Sequence, residues 1–547
     1  MWGAVRLDAR RAFRQSGWAQ RLVAAAYLLL LAAVATGAYF MFLRGFRILL
    51  ADELGGPVIA RYVLEASFLI VAVLGTASGA VTSGRWLFLE AARETVASLP
   101  VPLHERFLFR FFGLAILSSW PVLLIVLPAL LALSSAANAG LAYFAFASIA
   151  VVLLLVLVSL LASIMAFALA PLTRYVPAGW LALIEIAGFF LAGIALVRRV
   201  VPRGLFQRLI VSSSAESAAA LDYIDRTFAW MPTHPLARAA AFVFGGSNDT
   251  VIDLLTVALL IGTAAVLVAV LVRLFYSRIL FAAAETVFLA KPQDAPARRL
   301  PPFPRVLRWR HGFLFERQAL EFFRSPDDLS RAASLVLILV FYVFTARAMA
   351  AMTVSGRPEL YSSVVAFSVA AIGYMALTMA MRFAFPAPLL EVQRGWIIGA
   401  SPMHLHETYS WQYFFWAGGI GAVSAAGGLL TAWSFGFAAP LAAMTVLSAV
   451  AVGMSVTAIA LGQGTVFPAR GARDPDYAST SPAGIAAIAL SGFYLWAVWR
   501  YVQNYAQVFL STGQVDSASV VGVLTLSCAI VAGYWGWAVH ALENRSV

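Results

Sequence analysis

The chain has 547 residues, of which 62% are apolar and only 12% charged, with a mean hydropathy of +0.86. A soluble globular protein does not carry about a dozen apolar runs of roughly 20 residues, each long enough to cross a 30 Å hydrocarbon core as a helix. The net charge of +12 reads as membrane orientation and contact with anionic lipid heads, so lipids are expected partners and nucleic acid is not.

Runs such as SIAVVLLLVLVSLLASIMAFALA (148–170) are continuously apolar, which excludes the alternating strands of a transmembrane barrel. The fold class expected is therefore all-α, a polytopic helical membrane protein. Cys528 is the single cysteine, so neither an intramolecular disulfide nor a cysteine metal site is possible. The N-terminal stretch VRLDARRAFRQSGWAQR is too long and too charged for the n-region of a cleaved signal.

In chain order, a charged segment at 5–17 leads into apolar runs at 22–42, 62–83, 111–133, 141–172, 178–197 and 252–275. A stretch rich in proline and arginine (290–310) then reads as a linker between two halves. Further runs follow at 333–352, 364–385, 414–434, 438–461, 484–502 and 518–542. The expected organisation is a six-span half over 1–275, a cytoplasmic linker over 276–312 and a second half over 313–547. Twelve spans put both termini on one side. Lys and Arg number about 26 in the loops of that side and about 12 on the other, so it is expected to be cytoplasmic. The expected location is a cytoplasmic (inner) membrane.

The halves repeat one another. FRQSGWAQR (Phe13, Arg14, Arg21) and FRSPDDLSR (Phe323, Arg324, Arg331) each place a phenylalanine and two arginines just before the first span of a half. Two spans later comes EAARETVASLPVPLHE in one half and EVQRGWIIGASPMHLHE in the other. Glu90, Arg93, Glu94, Pro100, His104 and Glu105 thus recur as Glu391, Arg394, Pro402, His406 and Glu407, with Glu94 lacking a counterpart. Both loops follow an even number of spans, so the repeat is parallel rather than inverted. Mixed apolar and charged residues around Phe13 and Phe323 suggest interfacial helices. A duplicated loop on a duplicated membrane unit suggests two equivalent partners docking from the cytoplasm.

On these residues the chain resembles the permease subunits of type-2 ABC exporters, with two six-span units fused in one polypeptide. The resemblance implies interfacial helices at 5–17 and 314–326 and cytoplasmic coupling segments at 84–107 and 387–409. It further implies an outer segment at 198–250, where FAWMPTHPLARAAAFVFGG is similar to a proline-bearing turn before a small-residue helix. Its implied partners are two copies of a cytoplasmic ABC ATPase. ATP and magnesium would be held by that partner, and this chain would have no cofactor and no ATPase activity. The second half departs from the pattern, with a short outer segment (503–516) and Ser401-Pro402 in place of Leu-Pro.

A Walker A loop, GxxxxGK[ST], needs a lysine to reach the phosphates. The chain's one lysine, Lys291, has no glycine-rich lead and is followed by proline. No metal site is expected: His404, His406 and Glu407 do not form a zinc-protease pattern, and no catalytic motif of an intramembrane enzyme is present. Among ionisable residues within the spans, Glu185 is the most deeply placed, as a substrate-path residue or a structural ion pair. Glu65, Arg347 and Arg500 are expected to be interfacial and to snorkel. The alternative function is an ion-coupled secondary transporter of major-facilitator-like layout, which also has twelve spans in parallel halves.

Overall fold

The structure is a computed structural model that describes residues 18–50, 55–84, 87–88, 102–174, 184, 187–188, 191–192, 195, 214–241, 250–280, 312–324, 328–329, 331–333, 335–336, 338–339, 343, 358–389, 405–467 and 481–544. Among the described residues there is no strand. Among the described residues, eight helices are long and apolar enough to cross a membrane: Gly56–Val73, Gly140–Leu172, Leu255–Leu280, Tyr361–Leu389, His406–Phe435, Ala439–Val466, Pro482–Thr512 and Ser517–Glu543. The expected spans at 178–197 and 333–352 lie largely outside the described residues. The chain forms two compact units, one of residues 38–355 and one of 1–37 with 356–547.

In the first unit the helices are α1 (Trp18–Leu50, which begins before it), α2 (Gly55–Gly84), α3 (Leu103–Ala136), α4 (Gly140–Leu169), α5 (Ser214–Phe228), α6 (His234–Ala240), α7 (Thr250–Leu271) and α8 (Gly312–Arg324). Helix α2 is buried on two faces. Ala60, Leu64 and Phe68 pack with Ala147, Val151 and Leu154 of α4, and with Leu236 and Ala240 of α6. Val58, Tyr62, Ala66 and Leu69 pack with Ala220, Ile224 and Phe228 of α5. In lipid, apolar side chains gain little by leaving the hydrocarbon, so close backbone approach has to supply the attraction. Gly75 and Gly79 permit it: a Cβ there would stand 2.8 Å from Val158 Cγ1 and 2.8 Å from the Ala162 Cβ of α4.

Helix α5 ends at Phe228 in a turn carrying Pro232, closed by Met231 N–H donating to Phe228 O (2.8 Å) and His234 N–H donating to Met231 O (3.1 Å). Pro235 in the first turn then starts α6, where its missing N–H costs no helical bond. The Tyr143 hydroxyl of α4 donates to the Ala240 carbonyl and pins the far end of α6. Together α2, α4, α5 and α6 hold the turn at 229–233 against α2.

The second unit contains α9 (Pro358–Met379), α10 (Leu405–Phe435), α11 (Ala439–Val466), α12 (Pro482–Thr512) and α13 (Ser517–Glu543). Helix α11 is its centre and packs against the other four. Three of its buried hydroxyls are satisfied within the helix: Thr445, Thr457 and Thr465 each donate to the carbonyl four residues back, at 2.7–2.8 Å. Tyr409 and Tyr413 of α10 meet Trp535 of α13 edge-on, with ring centroids 5.8 and 5.4 Å apart.

Candidate functional site

The first unit buries a charge cluster where α2, α5 and the start of α6 meet. Arg61 and Glu65 stand one turn apart on α2 and are 3% and 0% exposed. Arg61 Nη2 donates to Asp225 Oδ1 of α5 at 2.8 Å, and its Nε lies 3.6 Å from Glu65 Oε1. His234 Nδ1, at the first position of α6, is 2.9 Å from the same Glu65 oxygen. Asp225 is the only member with substantial solvent access, its side chain being 42% exposed.

Three buried polar atoms at this seam have no hydrogen-bond partner: Glu65 Oε2, Arg61 Nε and the Thr233 hydroxyl just before His234. Buried polar atoms without partners are uncommon in folded proteins, where water, an ion or a ligand usually completes them. Glu65, Asp225 and His234 each offer one ligand atom, and these atoms lie within 4.8 Å of one another. Beside the cluster, Arg238 of α6 pairs with Asp253 of α7 (Nε–Oδ2 2.9 Å), both largely buried.

This arrangement corrects one sequence expectation. Glu65 does not snorkel: it is fully buried between Arg61 and His234. Sequence reasoning passed over Arg61, Asp225 and His234, although an Arg-x-x-x-Glu pair inside an apolar run was a visible signal that both charges share one helix face.

The residues expected to couple to a partner are placed as follows. His104 and Glu105 are exposed in the first turn of α3. His406 and Glu407 are partly buried in the first turn of α10. Glu90, Arg93, Glu94, Pro100, Glu391, Arg394 and Pro402 lie outside the described residues, as do Phe13, Arg14 and Glu185. Arg21 lies in α1 and Arg324 closes α8, in which Phe323 is exposed; Arg331 is partly buried. Arg500 is exposed, with its guanidinium 5.8 Å from the centre of the Trp496 ring.

Residues 17–532 match the model of a family described as "Putative ATP-binding cassette". Neither the curated proteins nor the solved structures gave a match. The family match overturns four linked expectations: that the chain is a permease subunit of a type-2 exporter, that it only carries substrate for separate ATPase chains, that it has no ATPase activity, and that ATP and magnesium sit on a partner alone. The description attributes the ATP-binding cassette to this chain, and it gives no support to a secondary transporter either.

The described residues do not fit a phosphate-binding loop of the Walker A kind, which joins a strand to a helix and ends in lysine. They contain no strand, and Lys291, the one lysine, lies outside them. With the match extending over far more than half of its length, the chain belongs to this ATP-binding cassette family.

Proposed function

We propose that this chain is a membrane-embedded transport protein of an ATP-binding cassette system. The observation that carries the reading is the occurrence of eight apolar helices of membrane-spanning length inside the family match. Twelve spans in two parallel six-helix repeats, in an inner membrane with both termini cytoplasmic, is the layout that the sequence repeat and the arginine bias favour.

The repeated loops at 84–107 and 387–409 are assigned as a docking surface for two equivalent copies of a cytoplasmic ATPase. Glu90, Arg93, Glu94, Pro100, His104 and Glu105 form one half of that surface, and Glu391, Arg394, Pro402, His406 and Glu407 the other. The segments around Phe13, Arg14 and Arg21, and around Phe323, Arg324 and Arg331, are assigned to the lipid interface, and Glu185 to the substrate path.

The test is ATP photolabelling of the purified full chain, alone and together with proteins that co-purify from its native membrane. Label on this chain, competed by unlabelled ATP, supports a cassette family member that handles nucleotide itself. Absence of ATP-linked activity both from the chain and from everything that co-purifies with it would sink the reading. Loss of co-purifying proteins on changing Glu94, Glu105, Glu391 and Glu407 to alanine would locate the docking surface.

A further inference from the structure

We propose that Glu65, Asp225 and His234 form a binding site for a divalent transition-metal ion of the zinc type, bridging α2, α5 and α6. The proposal stands independently of how the chain uses ATP.

Two carboxylates face one guanidinium, so with both carboxylates ionised and the imidazole neutral the cluster carries a net charge of −1 in a largely buried place. An uncompensated buried charge is costly, and a cation relieves it. The second observation is independent of that count. Glu65 is fully buried, yet its Oε2 has no partner, although its other oxygen carries both the His234 and the Arg61 contacts. A free carboxylate lone pair therefore sits within the cluster itself.

The ligand types narrow the ion. One imidazole nitrogen with two carboxylates suits zinc and its neighbours, whereas calcium and magnesium favour all-oxygen sets. The candidate ligand atoms already lie within 4.8 Å of one another, and bonds of about 2.0–2.2 Å around a tetrahedral ion need them closer by roughly an ångström. Small rotations of Asp225, the solvent-facing member, and of His234 supply that closure. The partial exposure of Asp225 gives the ion a way in. Arg61 becomes an outer partner that orients the Asp225 carboxylate through Oδ1, a role that carboxylate ligands commonly require. On binding, the His234–Glu65 hydrogen bond is exchanged for two metal bonds, and the imidazole coordinates as the neutral base.

The consequence is a brace. The three ligands come from a buried helix, an amphipathic helix and the start of the short helix after the Pro232 turn, so one ion would fasten that turn to α2.

The test uses the full chain in detergent, stripped with chelator and then offered zinc chloride or magnesium chloride. Metal retained after desalting is measured by mass spectrometry, alongside the melting temperature. The expected result is a single zinc ion per chain, a melting temperature several degrees higher with zinc and unchanged with magnesium. Both effects should disappear in Glu65→Gln, His234→Asn and Asp225→Asn, and persist in His540→Asn, which alters an exposed histidine elsewhere. Failure of the wild type to retain zinc overturns the proposal. So does retention that the three ligand variants leave unchanged, because the zinc would then lie elsewhere. If Glu65→Gln does not fold, Asp225→Asn decides the matter, since its half-exposed side chain is removed with least disturbance.

Discussion

Changing Arg61 to methionine tests whether the buried cluster holds the α2–α5–α6 seam by electrostatics. Methionine keeps the unbranched stem of the side chain and removes the guanidinium with its charge and donors. Glu65, fully buried, would then keep His234 as its one close partner, and Asp225 would lose its 2.8 Å bond. Removing one member of a buried pair typically costs about 3–5 kcal/mol. The lower end applies here, because Asp225 reaches solvent and the Arg61–Glu65 contact is an offset 3.6 Å. A loss of about 3 kcal/mol corresponds to a melting temperature roughly 6–12 °C lower for a unit of a few hundred residues. Thermal melts of the purified protein in detergent, in chelator and at one scan rate, give the comparison. The double variant Arg61→Met/Glu65→Gln should recover most of the loss, since the one carboxylate left unpaired, Asp225, reaches solvent. A single-variant loss below about 1 kcal/mol, the range of surface pairs, would refute the reasoning. So would a double variant whose losses simply add.

Tyr143→Phe leaves the Ala240 carbonyl without its donor and should destabilise the first unit by about 1–3 kcal/mol, read in the same melt. Gly79→Val places a branched side chain where even a Cβ would stand 2.8 Å from Ala162, so the α2–α4 contact should open at a cost of about 1–3 kcal/mol, visible as a lower melting temperature and yield. Asp516, between α12 and α13, accepts hydrogen bonds from the Ser519 hydroxyl and Ala518 N–H, and the Ser519 bond above all holds its carboxyl below the usual range. Because its folded value is depressed, its stabilising contribution is complete above the ordinary carboxylate value near 4 and fades as pH falls through the folded value. Asp516→Asn should flatten that acid dependence, as followed by hydrogen exchange at the start of α13.

The membrane class was legible because it depends on a local property. A continuous apolar run has the same meaning wherever it stands, and the runs at 141–172, 414–434 and 438–461 all appear as long helices. The turn at Pro232 and the helix start at Pro235 are local as well, since each proline acts on its own backbone, although the sequence pointed to them only through the resemblance. The charge cluster was not. His234 lies 169 residues from Glu65, and Asp225 lies 164 from Arg61. No periodicity in a single helix reports such distant pairings, so Glu65 taken alone looked like an interfacial side chain. The family match shows the reverse limit: the resemblance drawn from loop motifs pointed to an ABC system but assigned the ATP chemistry to other chains, which the match overturns.

The placing of these charges follows from what lipid cannot do. Apolar packing scarcely distinguishes a helix neighbour from an acyl chain, because both are hydrocarbon. The apolar faces of α2 would be content against many neighbours, and Ile224, Phe228 and Leu236 would be content against many helices. Polar pairs discriminate. A bond from Arg61 to Asp225 exists at one register of α5 and is lost on moving by a turn, and the same holds for His234 on Glu65. The seam is therefore specified by two polar contacts on a single turn of α2, while the apolar contacts around it exclude solvent and strengthen each charge interaction. A seam fixed in this way changes by steps, since moving the turn at 229–233 requires breaking both contacts together. That concentrates the position of the whole α5–α6 segment in four side chains, and it is why substitutions at Arg61, Glu65, Asp225 and His234 should outweigh any equal number of changes among the apolar residues that surround them.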